Sequence, residues 1–343
     1  MSRAVFLHGI RDVRVEPYQS RRPRPGEVMV EVEAVGICGS DLHYYKDGRI
    51  GSGQVIAAPF VPGHEFAGRL LDDCEERGLA AGTLVAVDPA SPCHACEWCA
   101  RGHHNLCPRT VFIGAPPHDG AMTEALPVPA ASLVALPDGM TALQAAMCEP
   151  LGVSIHAFDL ARPRLMETVA VVGCGCIGLG VIQLLRQAPV ARVLAVDPQP
   201  HRAALAERFG AAVTGPDIAA VIEATGGRGA DLVIEATNAP EGFADAVGAA
   251  AIGGRLVLVG IPDGDGYRLS ASEARRRGLT VRFSRRMGEV YPRAIALVMS
   301  GRVDVDAIVS HRVGLDEVPD AFAAQAAAAA GLVKTVVFPA RRA

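Results

Sequence analysis

Cys93, Cys96, Cys99 and Cys107 stand at the spacing Cys-x2-Cys-x2-Cys-x7-Cys. That spacing lets one short loop wrap four thiolates tetrahedrally around a single zinc ion. Pro92, Pro108 and the charged neighbours mark the segment as a loop rather than a core element. A closed four-thiolate shell leaves no position for a substrate, so a zinc held here is structural. His94, His103 and His104 lie in the same loop as alternative ligands. A second group is scattered: Cys38 in Gly36-Ile37-Cys38-Gly39-Ser40-Asp41, then Gly63-His64-Glu65, then Cys148-Glu149-Pro150. Singly, each looks like a packed cysteine or an ordinary polar pair. Together, a thiolate, an imidazole and a carboxylate leave a zinc shell incomplete, so an alcohol or water can enter the open position and become more acidic.

A third constellation is Gly173-Cys174-Gly175-Cys176-Ile177-Gly178, a Gly-x-Gly-x-x-Gly fingerprint preceded by an apolar strand-like run and followed by an apolar helical one. The glycines let backbone approach a pyrophosphate, and the helix N-terminus offers partial positive charge. Asp197 falls nineteen residues after Gly178, at the end of the next strand-like run. A carboxylate there accepts hydrogen bonds from an adenosine ribose and repels a 2′-phosphate, so NAD is expected over NADP. Cys174 and Cys176 read as small fillers between the glycines.

These residues need scaffolds of two kinds. Glu27 to Glu33 alternates polar and apolar side chains with period two after the turn signal Arg24-Pro25-Gly26, and short apolar runs such as Thr83 to Val87 continue to about residue 135. The texture predicts a loop-rich antiparallel barrel. From Thr168 it changes to continuous apolar runs at Thr168 to Val172, Arg192 to Val196, Ala230 to Ala236 and Arg255 to Ile261, separated by helix-like segments, with a last strand near Thr280 to Ser284. Such alternation predicts a doubly wound parallel sheet, giving an α/β chain of two domains. Residues 1–152 and 289–343 are expected to form the zinc-binding catalytic domain and 153–288 the dinucleotide domain, with the strand-like Lys334 to Phe338 rejoining the first. The Ala-rich run Ala326 to Ala330 reads as a surface helix.

Composition narrows the function. The chain has 343 residues, half of them hydrophobic, and a net charge of −4, which gives no electrostatic reason to seek nucleic acid or an anionic membrane. Arg21, Arg22, Arg24 and Arg275 to Arg277 read as solvated faces. Val169 to Leu185 is too short and too rich in glycine for a membrane span. The N-terminus shows no secretory pattern, and nine cysteines, four of them crowded into one loop, suit metal binding in a reducing compartment, so a cytoplasmic location is expected.

With these residues assembled, the sequence resembles the zinc-dependent medium-chain dehydrogenase/reductase superfamily, and within it the sorbitol, xylitol and L-idonate dehydrogenase branch. The motifs that carry the resemblance are Gly-Ile-Cys-Gly-Ser-Asp-Leu-His-Tyr-Tyr at 36 to 45, Gly-His-Glu at 63 to 65, the four-cysteine loop, Ala-Pro-Pro-His-Asp-Gly at 115 to 120 and Glu-Pro-Leu-Gly-Val-Ser-Ile-His-Ala at 149 to 157. The resemblance implies a GroES-like catalytic domain beside a Rossmann domain, two zinc ions per chain, NAD, and a homo-oligomer, tetramer or dimer. It implies catalytic zinc on Cys38, His64 and Glu65, with Glu149 where related alcohol dehydrogenases carry a cysteine, acting directly or through water. Ser40 matches the proton-relay hydroxyl, and His43 lies in the catalytic segment. Tyr44, Phe112, Glu149 and Arg286 are implied to face substrate, with Arg285 the alternative to Arg286. The branch usually places aromatic residues beside that arginine, whereas Met287 follows it here. Ile177, Arg202, Val259, Gly260 and Ile261 join the glycines and Asp197 as implied coenzyme contacts. The expected reaction moves a hydride from a secondary alcohol of a polyol or sugar acid to NAD. Threonine, butanediol or a simple alcohol is the alternative substrate. A non-catalytic nucleotide-binding protein would have lost one of Cys38, Ser40, His64 or Glu65.

Overall fold

The computed structural model describes residues 2–340. The chain divides into two compact units: one takes the residues to Glu149, Tyr291–Met299 and the chain from Val305 on, the other Pro150–Val290 and Ser300–Asp304. The helix Cys148–Ala161 straddles the boundary.

The first unit is built on a seven-stranded sheet. Its central strand, Glu27–Gly36, carries the expected alternation, with Val30, Val32 and Ala34 buried and Glu31 exposed. It pairs antiparallel with Glu65–Leu70 and Ala125–Pro129, and at its far end with Thr335–Val337. Leu84–Val87 and Leu133–Ala135 extend the sheet on one side. On the other side His311–Val313 joins Thr335–Val337 in parallel, the one departure from the antiparallel expectation among the described strands of this sheet. Val30, Val32, Phe66, Val85, Met122 and Phe322 belong to one core, whose burial from water supplies the main driving force for the unit.

The second unit holds six parallel strands in the order Val213–Gly215, Arg192–Val196, Thr168–Val172, Ala230–Glu235, Ala250–Leu258, Thr280–Phe283. Numbered along the chain this is 3-2-1-4-5-6, with the crossover reversing between Thr168–Val172 and Ala230–Glu235. Val169 to Val172 are all buried, as a strand covered on both faces requires. The apolar stretch Val169 to Leu185 is resolved into a strand and a separate helix, Cys176–Leu185, and no helix of the described residues is long and apolar enough to cross a membrane.

Two local expectations are corrected. The helix Val318–Ala326 ends where the alanine run begins, and Ala328 takes a left-handed φ of 48°, so high helix propensity loses to the turn that leads into the final strand. Arg277 is not merely solvated: it donates to the carbonyl of Gly248 at 3.3 Å and to that of Ala250, and pairs with Glu273 at 3.0 Å.

Candidate metal centres and dinucleotide site

Cys38 is the N-cap of the helix Gly39–Asp47, immediately after the central strand of the first unit. His64 immediately precedes and Glu65 begins the neighbouring strand Glu65–Leu70, whose register sets Gly36 directly opposite Glu65. A Cβ at Gly36 would stand 2.0 Å from Glu65 Oε2, so the absence of a side chain makes the room in which that carboxylate lies. Gly63, with φ of 98°, has the side chains of Met122 and Val35 within 3 Å of where a Cβ would be, and this fixes the turn that aims His64. One donor atom from each of Cys38, His64 and Glu65 lies within 4.8 Å of the others.

The surroundings fit a cation bound by these three. His64 Nδ1 and Asp41 Oδ1 are buried without a hydrogen bond and lie 3.7 Å apart. A metal on Nε2 would leave the proton on Nδ1, directed at the Asp41 carboxylate, in the arrangement that usually orients a ligating imidazole. Asp41 is held in turn by the Cys38 backbone N–H at 2.9 Å. Ser40 Oγ lies 3.4 Å from His64 Nε2, and the Phe112 ring packs against His64 with centroids 5.2 Å apart. Burial and the neighbouring Glu65 charge hold the Cys38 thiol well above its ordinary pKa, with Lys334 partly opposing. A dication at the site reverses that balance and favours the thiolate.

Glu149 is buried and electrostatically coupled to His64 and Glu65, but the structure leaves it outside the three-donor group. Burial pushes its carboxyl up to about 7; His64 opposes the shift, and the Glu65 charge adds to it. His43 is buried with Nδ1 3.8 Å from Asp47. Tyr44 is 1 % exposed and packs edge-on against Phe60, which places it in the core of the first unit rather than on an open surface.

Two partners were not anticipated from the sequence. Lys334, 2 % exposed, donates from Nζ to Glu65 Oε2 and to the carbonyl of Ile37 at 2.8 Å. Its signal was a lysine inside the apolar stretch Leu332 to Val337, because a buried ammonium needs a paired anion. Asp41 had a signal too, an acid three residues into a helix whose cap is a candidate ligand.

The four-cysteine loop also gathers. Cys93, Cys96, Cys99 and Cys107 place their sulfurs within 4.8 Å of one another. Cys96 Sγ stands 3.5 Å from Cys99 Sγ and 3.9 Å from Cys107 Sγ. Four thiolates around zinc sit about 3.8 Å apart when the Zn–S bonds are about 2.3 Å, so the set fits. The Cys93 backbone N–H, 3.4 Å from Cys107 Sγ, is the main cause that draws the Cys107 thiol down to about 6, while burial drives Cys99 up to about 12. His94 and His104 meet edge-to-face with ring centroids 5.2 Å apart; they and His103 lie outside the cluster.

In the second unit Gly173 adopts φ of 93°, and a Cβ there would come within 2.6 Å of Thr237 Cγ2. A Cβ at Gly178 would be 1.9 Å from the carbonyl oxygen of Gly173, whereas one at Gly175 would meet nothing within 4 Å. The outer two glycines are thus required by close packing and the middle one leaves open space at the N-terminus of Cys176–Leu185, where Ile177 is half-buried. Asp197 accepts the backbone N–H of Cys174 at 2.8 Å and of Gln199 at 2.8 Å, with Arg202 Nη1 4.0 Å away. It therefore ties the glycine turn to the end of the next strand. Val259 and Gly260 are half-buried and Ile261 exposed, just past the Ala250–Leu258 strand. Arg286 is half-buried with a left-handed φ of 53°, and Arg285 is exposed.

Comparison with known proteins agrees with this geometry. Residues 24–138 match the alcohol dehydrogenase GroES-like domain and residues 176–300 the zinc-binding dehydrogenase family. A sorbitol dehydrogenase of Bacillus subtilis is 30% identical over 99% of this chain and 98% of its own length. The solved L-idonate 5-dehydrogenase of Escherichia coli superposes with a TM-score of 0.88 at 26% identity, covering 98% of both chains. A zinc-binding dehydrogenase of Sinorhizobium meliloti, solved bound to NADP, gives a TM-score of 0.87 at 33% identity over 99% of both chains. Fold and donor sets together define an oxidoreductase of the zinc alcohol dehydrogenase class. The chain belongs to the zinc-dependent medium-chain dehydrogenase/reductase superfamily, in its polyol dehydrogenase branch.

Proposed function

We propose that this chain oxidises a secondary alcohol of a polyol or sugar acid with NAD, using one catalytic and one structural zinc per chain. The observation that carries the reading is the convergence of Cys38, His64 and Glu65 donor atoms within 4.8 Å, beside Ser40 and Phe112. Zinc held there supplies a Lewis acid that makes a hydroxyl more acidic. Ser40 is placed to accept the hydroxyl proton and pass it outward, because its oxygen lies at the edge of the donor group and is half-buried rather than sealed. Phe112 packs its half-buried ring against the imidazole, 5.2 Å between centroids. Asp41 fixes the tautomer of His64, and Lys334 balances the charge of Glu65. Glu149 lies buried beside the same centre, where burial raises its carboxyl pKa and a bound dication would lower it again. Cys93, Cys96, Cys99 and Cys107 hold the structural ion.

The Asp197 carboxylate after the second strand, which in the dinucleotide fingerprint meets the ribose and repels a 2′-phosphate, supports NAD over NADP. His43, Phe112 and Arg286 are assigned to the substrate side through the family motifs, whereas Tyr44, buried against Phe60, is left to the core. The family resemblance suggests a homo-oligomer, tetramer or dimer, and the crowded free cysteines suit a cytoplasmic location.

The test is a panel of sorbitol, xylitol, L-idonate, threonine and butanediol, each with NAD and with NADP, followed by coenzyme absorbance, together with a metal assay. The reading expects NAD-linked oxidation of a polyol or sugar acid and two zinc ions per chain. A preference for threonine or butanediol would shift the substrate class within the same chemistry. His64→Ala should abolish turnover and leave NADH binding nearly intact; an active variant overturns the catalytic assignment.

A further inference from the structure

Glu235 ends the Ala230–Glu235 strand and is 2 % exposed. Its carboxylate is engaged by neutral donors. Oε1 accepts the backbone N–H of Thr237 at 2.7 Å and the Thr237 hydroxyl at 2.6 Å, and Oε2 accepts the backbone N–H of Gly260 at 3.3 Å. The carbonyl of the same glycine accepts the Tyr267 hydroxyl at 2.9 Å. The Tyr267 ring is wedged edge-on against Phe243 at 5.2 Å and tilted against Phe283 at 5.7 Å. Both backbone polar groups of Gly260 are thereby gripped by side chains that other elements hold in place. The packing leaves little freedom: a Cβ at Gly260 would stand 1.7 Å from the Thr237 carbonyl oxygen and 2.8 Å from Glu235 Oε1. Thr237 also touches the space above Gly173, so one cluster links the glycine turn to Gly260.

Strand order gives this cluster a role. Asp197 follows the strand on one side of Thr168–Val172, and Glu235 ends the strand on the other. A dinucleotide with its adenosine ribose at Asp197 and its pyrophosphate at the Gly173 turn must continue across the ends of Ala230–Glu235 and Ala250–Leu258, where Gly260 stands.

We propose that Glu235 and Tyr267 are positioning residues for the nicotinamide half of the coenzyme, holding Val259–Gly260–Ile261 in its binding conformation by clamping the N–H and C=O of Gly260. The inference rests on the reading of the second unit as a dinucleotide site. Neither side chain needs to touch the coenzyme. Preorganising the segment removes an ordering cost that would otherwise be subtracted from affinity.

The test uses the full-length protein with Tyr267→Phe, which deletes one hydroxyl, and Glu235→Gln, which turns an acceptor toward a donor. NADH and ADP-ribose, which lacks the nicotinamide, are titrated against wild type and variants, with NADH emission recorded. Each variant is expected to weaken NADH by about tenfold, the loss of roughly one hydrogen bond, while ADP-ribose stays within about twofold. The NADH emission should shift toward that of free coenzyme as the ring loosens. Equal loss for both ligands would mean a general structural role and overturn the proposal, as would unchanged NADH affinity in both variants. If Glu235→Gln fails to fold, Tyr267→Phe alone decides. Wild-type protein that binds neither ligand would overturn the dinucleotide reading and this inference with it. Binding of both by wild type with no split in the variants would overturn the inference alone.

Discussion

Gly36 and Glu65 face each other across an antiparallel pair, and the carboxylate of one occupies the volume that a side chain on the other would fill. A glycine in a strand is normally a weakness, since it brings nothing to pack, and Gly36 closes the central strand Glu27–Gly36. Here it is the opening through which a buried acid reaches a candidate metal centre. Gly36→Ala should push Glu65 aside and weaken zinc at the Cys38 centre by about 10- to 100-fold, the usual cost of disturbing a metal ligand's support. Chelator competition reads this directly, with the four-cysteine ion as internal control; unchanged affinity at both sites would show that Glu65 does not depend on that space.

The Lys334 and Glu65 pair lies wholly out of water. Removing one member of such a pair strands the other charge, which costs about 3–5 kcal/mol. Lys334→Met should therefore lower the urea midpoint of the metal-free protein strongly. Added zinc should recover part of the loss, because a dication takes over the neutralising role. A midpoint within error of wild type in the metal-free state would dismiss the pair as a source of stability.

Asp197 is both the expected ribose partner and the acceptor for two backbone N–H groups. Asp197→Ser should relax the preference for NAD by about tenfold or more, since the charge that opposes a 2′-phosphate is gone. It should also cost about 1–3 kcal/mol, because a buried donor loses its acceptor. Coenzyme affinities and thermal denaturation check the two effects separately, and an unchanged NAD to NADP ratio would remove Asp197 from its assigned role.

Burial holds the Glu235 carboxyl above the ordinary range, with hydrogen bonds from Thr237 and Gly260 opposing; burial also raises the pKa of Tyr267, and the Glu235 charge adds to it. A folded-state value above the unfolded one means that the folded chain binds the proton more tightly. The stabilising contribution is complete below the unfolded pKa, about 4.3, and is lost as pH rises through the raised value. The stability of wild type relative to Glu235→Gln should fall across that window. A pH-independent difference between the two proteins would contradict the shift.

Legibility in the sequence followed the distance along the chain over which a feature is encoded. The four cysteines, the glycine fingerprint and the alternation of Glu27 to Glu33 are local patterns, and each appears in the structure as an element or a cluster. Cys38, His64 and Glu65 are farther apart, and only donor chemistry and the family motifs joined them before the strand register showed why they meet. Lys334 lies 269 residues from Glu65, so no window along the chain could pair them. Propensity misjudged the alanine run after Val318–Ala326, because a best helix former says nothing about the turn at Ala328. Charge alone misjudged Arg277, whose guanidinium serves the carbonyls of a neighbouring segment.

The first unit is assembled from both ends of the chain, and this would give the two candidate metal centres different histories. All four thiols of the Cys93 to Cys107 loop emerge from the ribosome within fifteen residues of one another, so a nascent chain can capture that ion long before translation ends. The sheet around Cys38, His64 and Glu65 waits for Thr335–Val337 to dock and for Lys334 to arrive, after the entire second unit has been made. If both centres take zinc as proposed, protein newly made in a cell short of metal would accumulate with its loop already charged and the Cys38 centre still vacant.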